Sequence, residues 1–274
     1  MNPKNLSVYT SGLAATQFEK LFFYNVFDKK DLNLNNKIFI DFGCGEGSLL
    51  SFLYNKIQLG EIQNTLLIGV EQNENLRYLT MSKLGAPYMT SPTSNHMNLI
   101  YDLESSLENL EKFLSSTSNM IKGREVILLC SSVLHELGSY QKTLIKFIKK
   151  RVNYVIIRDM YVTVERSFSS KQIAKIIKGS DPKRLAEFIT KYGMSDVQLM
   201  HYLLKYTYVD NWKSEILEDY TSVKWDLFEK LGPIIWERVY EQDWRRNKIK
   251  EDFDLSLVFN GVTTHRELVV KVEK

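Results

Sequence analysis

The stretch Lys37-Ile-Phe-Ile-Asp-Phe-Gly-Cys-Gly-Glu-Gly-Ser48 decides how this chain folds. Ile38, Phe39 and Ile40 form the short run of large apolar residues expected of a buried parallel strand. The strand closes on Asp41 and then breaks into Gly43, Gly45 and Gly47, glycines at alternate positions. Such glycines let the backbone turn sharply with nothing projecting into the cleft at the carboxyl end of the strand, where open α/β sheets bind ligands. The helix expected next, Ser48 to Tyr54, points its amino end at the same place.

Spacing separates two nucleotide chemistries. A dinucleotide site uses Gly-x-Gly-x-x-Gly, which seats a pyrophosphate on a helix amino terminus. Here the third glycine comes one residue early. The pattern Asp41-Phe-Gly-Cys-Gly-Glu-Gly47 instead resembles the first motif of the class I S-adenosylmethionine-dependent methyltransferases, whose cofactor is an amino-acid-bearing nucleoside without phosphate. The resemblance implies S-adenosyl-L-methionine as cofactor, held at Asp41, Gly43, Cys44, Gly45 and Gly47. Three glycines alone also occur in purely structural turns, so the downstream segments have to agree.

Asn64-Thr-Leu-Leu-Ile-Gly-Val-Glu71 is a second apolar strand ending on a carboxylate. At the tip of that strand Glu71 suits a ribose clamp, because one carboxylate accepts from both ribose hydroxyls. The alternative is that Glu71 only opens the next helix, where the dipole favours an acid. Asn98-Leu-Ile-Tyr-Asp102 reads as a short third strand. The resemblance places Asp102 at the adenine amino group, although Asp102 also reads as the cap of a helix from Leu103 to Leu114. The fourth strand, Val126 to Cys130, breaks into Ser131-Ser-Val-Leu-His-Glu136. By the same resemblance this loop lies beside the transferable methyl group, with Ser131 and Ser132 at the cofactor. The fifth strand runs from Val152 to Asp159 and brings Arg158 and Asp159 to the cleft edge as substrate contacts. Near the end, Asp254 to Phe259 and Val262 to Lys271 are extended runs joined by Asn260-Gly261, a strong hairpin signal.

The expected fold is therefore α/β: a doubly wound sheet of seven mostly parallel strands, an antiparallel C-terminal hairpin, and a helical insertion after strand five. The resemblance covers residues 36–160 and 252–274. Residues 1–35 are expected to form an N-terminal helical cap, with a helix over Ser11 to Phe27, and residues 36–160 the cofactor-binding core. Residues 161–251 are the helical insertion, assigned to substrate recognition, and residues 252–274 the hairpin. Within the insertion, helices are expected over Ser169–Lys178, Leu185–Tyr192, Asp196–Lys205, Asn211–Leu231 and Ile234–Lys248. All four tryptophans, Trp212, Trp225, Trp236 and Trp244, fall there, as core residues or as stacking platforms.

Composition bounds the partners. With 274 residues, 44% of them hydrophobic and 25% charged, one elaborated domain buries a substantial core. No apolar run reaches the roughly 18 residues a bilayer span needs, and Met1 to Leu6 lacks a signal-peptide core, so a cytoplasmic protein without membrane contact is expected. The two cysteines and four histidines have no zinc-ligand spacing, and no metal is expected. From Lys142 to Lys191 there are 13 lysines and arginines against 4 acidic residues, while the whole chain carries only +3. That segment is either a solvated surface or a phosphate-binding face for RNA.

Methyl transfer is an in-line displacement achieved largely by positioning, and a base is needed only when the acceptor must lose a proton. His135 is the candidate base, since Val133-Leu-His-Glu136 resembles the Leu-His-Asp segment of small-molecule O-methyltransferases, where the equivalent histidine serves as base. A structural or substrate-contact role for His135 stays open. Glu136 either orients it, binds the acceptor or starts a helix. The Asn/Asp-Pro-Pro-aromatic motif of base amino-group methylation is absent after strand four, which argues against adenine or cytosine DNA methyltransferases. Three classes remain: a methyltransferase of a small-molecule acceptor, a methyltransferase of RNA or another polyanion, and a noncatalytic cofactor-binding module.

Overall fold

The computed structural model describes residues 19–30, 32–83, 103–115 and 121–274. In chain order its main elements are α1 (Phe22–Lys29), β1 (Lys37–Phe42), α2 (Ser48–Gln58), β2 (Leu66–Val70), α3 (Glu74–Lys83), α4 (Leu103–Leu114), β3 (Glu125–Ser131), α5 (Gln141–Arg151) and β4 (Tyr154–Val164). Then come α6 (Ser170–Gly179), α7 (Pro182–Tyr192), α8 (Asp196–Lys205), α9 (Trp212–Glu215), α10 (Trp225–Glu229), β5 (Ile234–Tyr240), α11 (Asp243–Phe253) and β6 (Val262–Lys271).

The described strands form one sheet in the order β2-β1-β3-β4-β6-β5. β1 lies between parallel neighbours, with Asp41 beside Gly69 of β2 and Leu129 of β3, and β3 pairs in parallel with β4 so that Ser131 lies beside Arg158. The sheet reverses direction at β6. Val272 N–H donates to Asn153 O at 2.8 Å, whereas further back along β6 Thr263 meets Thr163 of β4. On its other side Lys271 N–H donates to Pro233 O and Glu273 N–H to Leu231 O, an antiparallel approach to β5. This is a Rossmann-like α/β order closed by an antiparallel C-terminal pair, in keeping with the sequence.

Two corrections concern that pair and the helices before it. Residues 254–257 are not a strand and Val258–Asn260 is one turn of 3-10 helix, so Asn260-Gly261 joins no hairpin arms. The side chain of Asn260 instead donates to Arg166 O and accepts from Gln172 Nε2, tying this corner to the chain after β4. On the side of β6 away from β4 the antiparallel partner is β5, Ile-Ile-Trp-Glu-Arg-Val-Tyr, where a helix was expected. Its β-branched and aromatic residues also fall at helical spacing, and sheet pairing decides between the two periods. The single helix expected over Asn211–Leu231 is two short ones, α9 and α10. Between them Asp219 accepts from the Thr221 backbone N–H, a local bond that competes with the helix. Six strands are described rather than seven, and the expected third strand, Asn98 to Asp102, lies outside the described residues.

The chain divides into two compact units. One contains residues 19–159, 224–237 and 267–274. Here Phe23, Val26 and Phe27 of α1 and Leu49, Leu50 and Leu53 of α2 share a core with Phe39, Ile127 and Ile156. The apolar residues of α1 recur at i, i+3 and i+4, which turns one face to the sheet. The other unit contains residues 160–223 and 238–266. Its helices start where caps demand: Ser169 and Gln172 form a capping box, Asp181 caps α7 with Pro182 in its first turn, and Ser195 caps α8. Among the described residues no helix is long and apolar enough to cross a membrane.

The strand reassignment makes a contrast that denaturant unfolding checks. Val258 is 65% exposed and Val269 fully buried in β6. Val258→Asp should change stability by no more than about 0.5 kcal/mol. Val269→Asp should cost more than about 4 kcal/mol, since it buries an unpaired carboxylate.

Candidate functional site

The site grows from the turn between β1 and α2. Gly43, Gly45 and Gly47 all have positive φ, and the N–H groups of Gly43 and Cys44 both donate to Val70 O, folding the turn back on the tip of β2. Gly43 is required twice over. Its φ is +74°, and a Cβ there would stand 2.5 Å from Val133 Cγ2. Gly45 differs: among the described residues a Cβ on it would meet nothing within 4 Å. Cys44 contributes backbone, because its side chain is buried, packs against Gly69, and has its thiol pushed well up by burial.

Glu71 stands where the sequence put it, at the tip of β2. One carboxylate oxygen accepts the Gly45 N–H at 2.9 Å and the other accepts the Asn73 N–H at 2.8 Å. The side chain is thus held across the glycine turn by two charge-assisted bonds. Asn73 in turn caps α3, its side chain accepting from the Asn75 and Leu76 N–H groups. Thr80 of α3 donates to Gly45 O at 2.7 Å and bonds the turn from below.

Asp41 is 2% exposed at the end of β1. Burial pushes its carboxyl up to about 7; Lys20 opposes the rise and the nearby Glu71 adds to it. A buried carboxylate that titrates near neutrality favours any cation brought beside it. Lys20, in a helical turn just before α1, is held below the usual lysine range by burial and by Arg158, while Asp41, Asp159 and Glu46 pull it back up.

A second cluster forms where the end of β3 meets the middle of β4. Asp159 is fully buried and accepts from the Val133 N–H at 3.0 Å and the Leu134 N–H at 2.6 Å. Its other oxygen lies 2.6 Å from His135 Nδ1. A carboxylate can only accept here, so Nδ1 carries the proton and the basic lone pair sits on Nε2. Nε2 is 3.9 Å from Glu136 Oε1. Ser132 holds the left-handed conformation with φ +57°, its N–H donating to Arg158 O and its Oγ accepting from Arg158 Nη1. The Arg158 guanidinium also pairs with Glu19. Ser131 Oγ is buried with no hydrogen-bond partner among the described residues.

The structure therefore brings Asp41, the glycine turn and Glu71 together, and joins His135 to Asp159. Arg158 and Asp159, expected to touch substrate, are buried in the middle of β4 and have their charged groups bonded to protein partners, Glu19 and Ser132 for the one, His135 and the Val133 and Leu134 N–H groups for the other. Asp102 lies outside the described residues. Sequence reasoning missed Lys20, Glu19 and Thr80. The capping pattern Asn73-Glu-Asn was a signal for the start of α3, but nothing in sequence spacing places Glu19 and Lys20 at strand tips more than a hundred residues away.

No family model and no curated protein matches this chain. Among solved structures it is similar to that of the MccD protein, at 10% identity and a TM-score of 0.46 over 93% of this chain and 96% of that one. It is similar also to the plantazolicin methyltransferase BamL in complex with a triazolic desmethylPZN analog and SAH, at 12% identity, a TM-score of 0.44, and 98% and 91% coverage. A third is a putative sarcosine dimethylglycine methyltransferase from Galdieria sulphuraria, at 9% identity, a TM-score of 0.47, and 92% and 84% coverage. At these values the likeness assigns no activity to this chain.

Two outcomes test the geometry of the site. Gly45→Ala should cost about 1–2 kcal/mol, the penalty of a left-handed alanine, while Gly43→Ala should cost more because the added methyl also strikes Val133; chemical denaturation separates them. Asp41 binds its proton more tightly folded than unfolded, so it destabilises the ligand-free protein as pH rises from about 4 to about 7. Thermal unfolding between pH 5 and 8 should lose part of its downward slope in Asp41→Asn.

Proposed function

We propose that this chain is an S-adenosylmethionine-dependent methyltransferase acting on a small-molecule acceptor. The observation that carries the reading is the Gly45 N–H bond to Glu71 beside the buried Asp41. It sets two carboxylates around a turn at whose central glycine, among the described residues, a Cβ would meet nothing within 4 Å. A pyrophosphate brought to this turn would meet like charge, whereas a nucleoside carrying a sulfonium and an ammonium meets opposite charge. Glu71 then accepts from the ribose hydroxyls, and the orphan Ser131 Oγ at the tip of β3 offers a further polar contact.

When bound, the cofactor supplies a methyl group activated by the positive sulfur. The protein's part is to place the acceptor and take its proton. His135 receives that proton on Nε2, and Asp159 holds the opposite Nδ1–H, which fixes the tautomer and stabilises the imidazolium as it forms. Glu136, 3.9 Å from Nε2, orients the acceptor or the ring. Asp159 is thus a positioning residue, and its two backbone bonds hold the loop that carries the base.

A small acceptor is favoured over a polyanion because several cations of residues 142–191 are engaged at home. Lys150 and Arg151 pair with Glu111, Lys175 pairs with Asp254, and Lys191 Nζ donates to Ile216 O.

Transfer of a labelled methyl group from S-adenosylmethionine to fractionated metabolite and RNA pools tests the proposal. The label should enter a small-molecule fraction; label in RNA alone would overturn the acceptor class. With that acceptor, Glu71→Ala should weaken cofactor binding by about 1–3 kcal/mol. His135→Ala should leave cofactor binding unchanged and lower kcat by about 10²–10⁴-fold. Equal loss of cofactor affinity in both variants would remove the division of roles.

A further inference from the structure

Gln141 opens α5 and is fully buried. A glutamine in the first turn of a helix ordinarily stays in water, and burying its amide costs free energy unless both ends are bonded. Here both ends are bonded. Its Nε2 donates to Leu134 O at 3.0 Å and its Oε1 accepts from the Lys224 N–H at 2.9 Å. A backbone carbonyl only accepts and a backbone N–H only donates, so the two partners fix which way the amide points. Leu134 is thereby held at both of its backbone ends, because Asp159 accepts from its N–H at 2.6 Å. The carbonyl that Gln141 holds belongs to the peptide joining Leu134 to His135.

Resting on the reading of His135 as the base, we infer that Gln141 is a positioning residue for it, locking the Leu134–His135 peptide and so aiming Nε2. Leu134 to Glu136 form one turn of 3-10 helix, closed by the Leu137 N–H donating to Leu134 O at 3.1 Å. A single turn of this kind has poor hydrogen-bond geometry and little rigidity of its own. Asp159 fixes the imidazole at Nδ1, 2.6 Å away, but a ring tied at one atom still pivots with the peptide that carries it. The bond from Gln141 removes that pivot. The bond from Lys224 anchors the glutamine in turn to the residue before α10, whose Trp225 and Phe228 are buried. The base is therefore held from β4 through Asp159 and from α5 through Gln141. Glutamine suits the task because one planar amide donates and accepts at once, whereas a leucine of similar size fills the space and loses both bonds.

Proton and nitrogen NMR of the histidines in the full, ligand-free chain tests the inference directly, and turnover tests its consequence. In the parent protein the His135 Nδ1–H, identified by its loss in His135→Ala, should give a downfield, slowly exchanging resonance. Gln141→Leu should move that resonance upfield or broaden it away. It should also lower kcat for methyl transfer by about tenfold or more while leaving S-adenosylmethionine affinity within about twofold. Gln141→Glu guards against a trivial folding defect. Protonated, its carboxyl donates to Leu134 O and accepts from the Lys224 N–H as the amide does; ionised, it has no donor. Burial favours the protonated form, so the parent-like resonance should be present at mildly acid pH and be lost, as the carboxyl ionises, at a pH where the parent keeps it. An unchanged Nδ1–H resonance in Gln141→Leu overturns the inference, and so does failure of Gln141→Glu to restore it at acid pH. Loss of cofactor affinity in step with kcat overturns it as well, leaving Gln141 a general support of the fold. If the parent protein transfers no methyl group, the functional reading fails, and the resonances still decide whether Gln141 sets the His135 ring.

Discussion

The hydrogen bond from the Gly45 N–H to the Glu71 carboxylate joins the turn after β1 to the tip of β2, and the other features of the site depend on it. The Gly43 and Cys44 N–H groups already fold the start of the turn onto Val70 O, and the Glu71 bond ties its middle to the same strand tip. With it, the turn is braced from two sides, by Glu71 and by Thr80. Parallel pairing of β1 with β2 and β3 supplies the constraint that makes this possible, because it brings the carboxyl ends of all three strands to one edge.

Burial does the rest of the electrostatic work. Asp41 is pushed up to about 7 because β1 is covered on both sides, and the same enclosure keeps Cys44 and Cys130 protonated. Asp159 is equally buried but satisfied, with two backbone N–H groups and His135 as partners. The two aspartates therefore divide the labour: one takes up charge from outside, the other organises charge within. This difference follows from which backbone donors surround each carboxylate, since Asp159 has the Val133 and Leu134 N–H groups against it.

Much of this was legible in the chain. Ile38 to Gly47 specified both the strand and the turn, and Leu66 to Glu71 the second strand, because buried parallel strands leave continuous apolar runs. The helices α6, α7 and α8 were legible for a different reason, their helical spacing of apolar residues, although α7 starts at Pro182, three residues before the expected Leu185. Ile234 to Tyr240 was not, because its β-branched and aromatic residues, interrupted by Glu237 and Arg238, fit both periods and its pairing with β6 settles it. Asn260-Gly261 misled by supplying a turn whose expected first arm is not extended. The link between His135 and Asp159 was equally hidden: each was singled out, but their contact depends on the register of β3 with β4. Glu19 meets Arg158 across 139 positions of sequence, a long-range contact with no local signature.

The central claim is that the glycine turn, Asp41 and Glu71 form a site for a cationic nucleoside. Its most direct measurement is a calorimetric titration at pH 7 with S-adenosylmethionine and, separately, NADH, each repeated in buffers of different ionisation enthalpy. The account predicts micromolar binding of S-adenosylmethionine with net proton release, as the arriving cation drives Asp41 to its charged form, and no binding of NADH. Binding of NADH, or binding of S-adenosylmethionine with proton uptake, would contradict it.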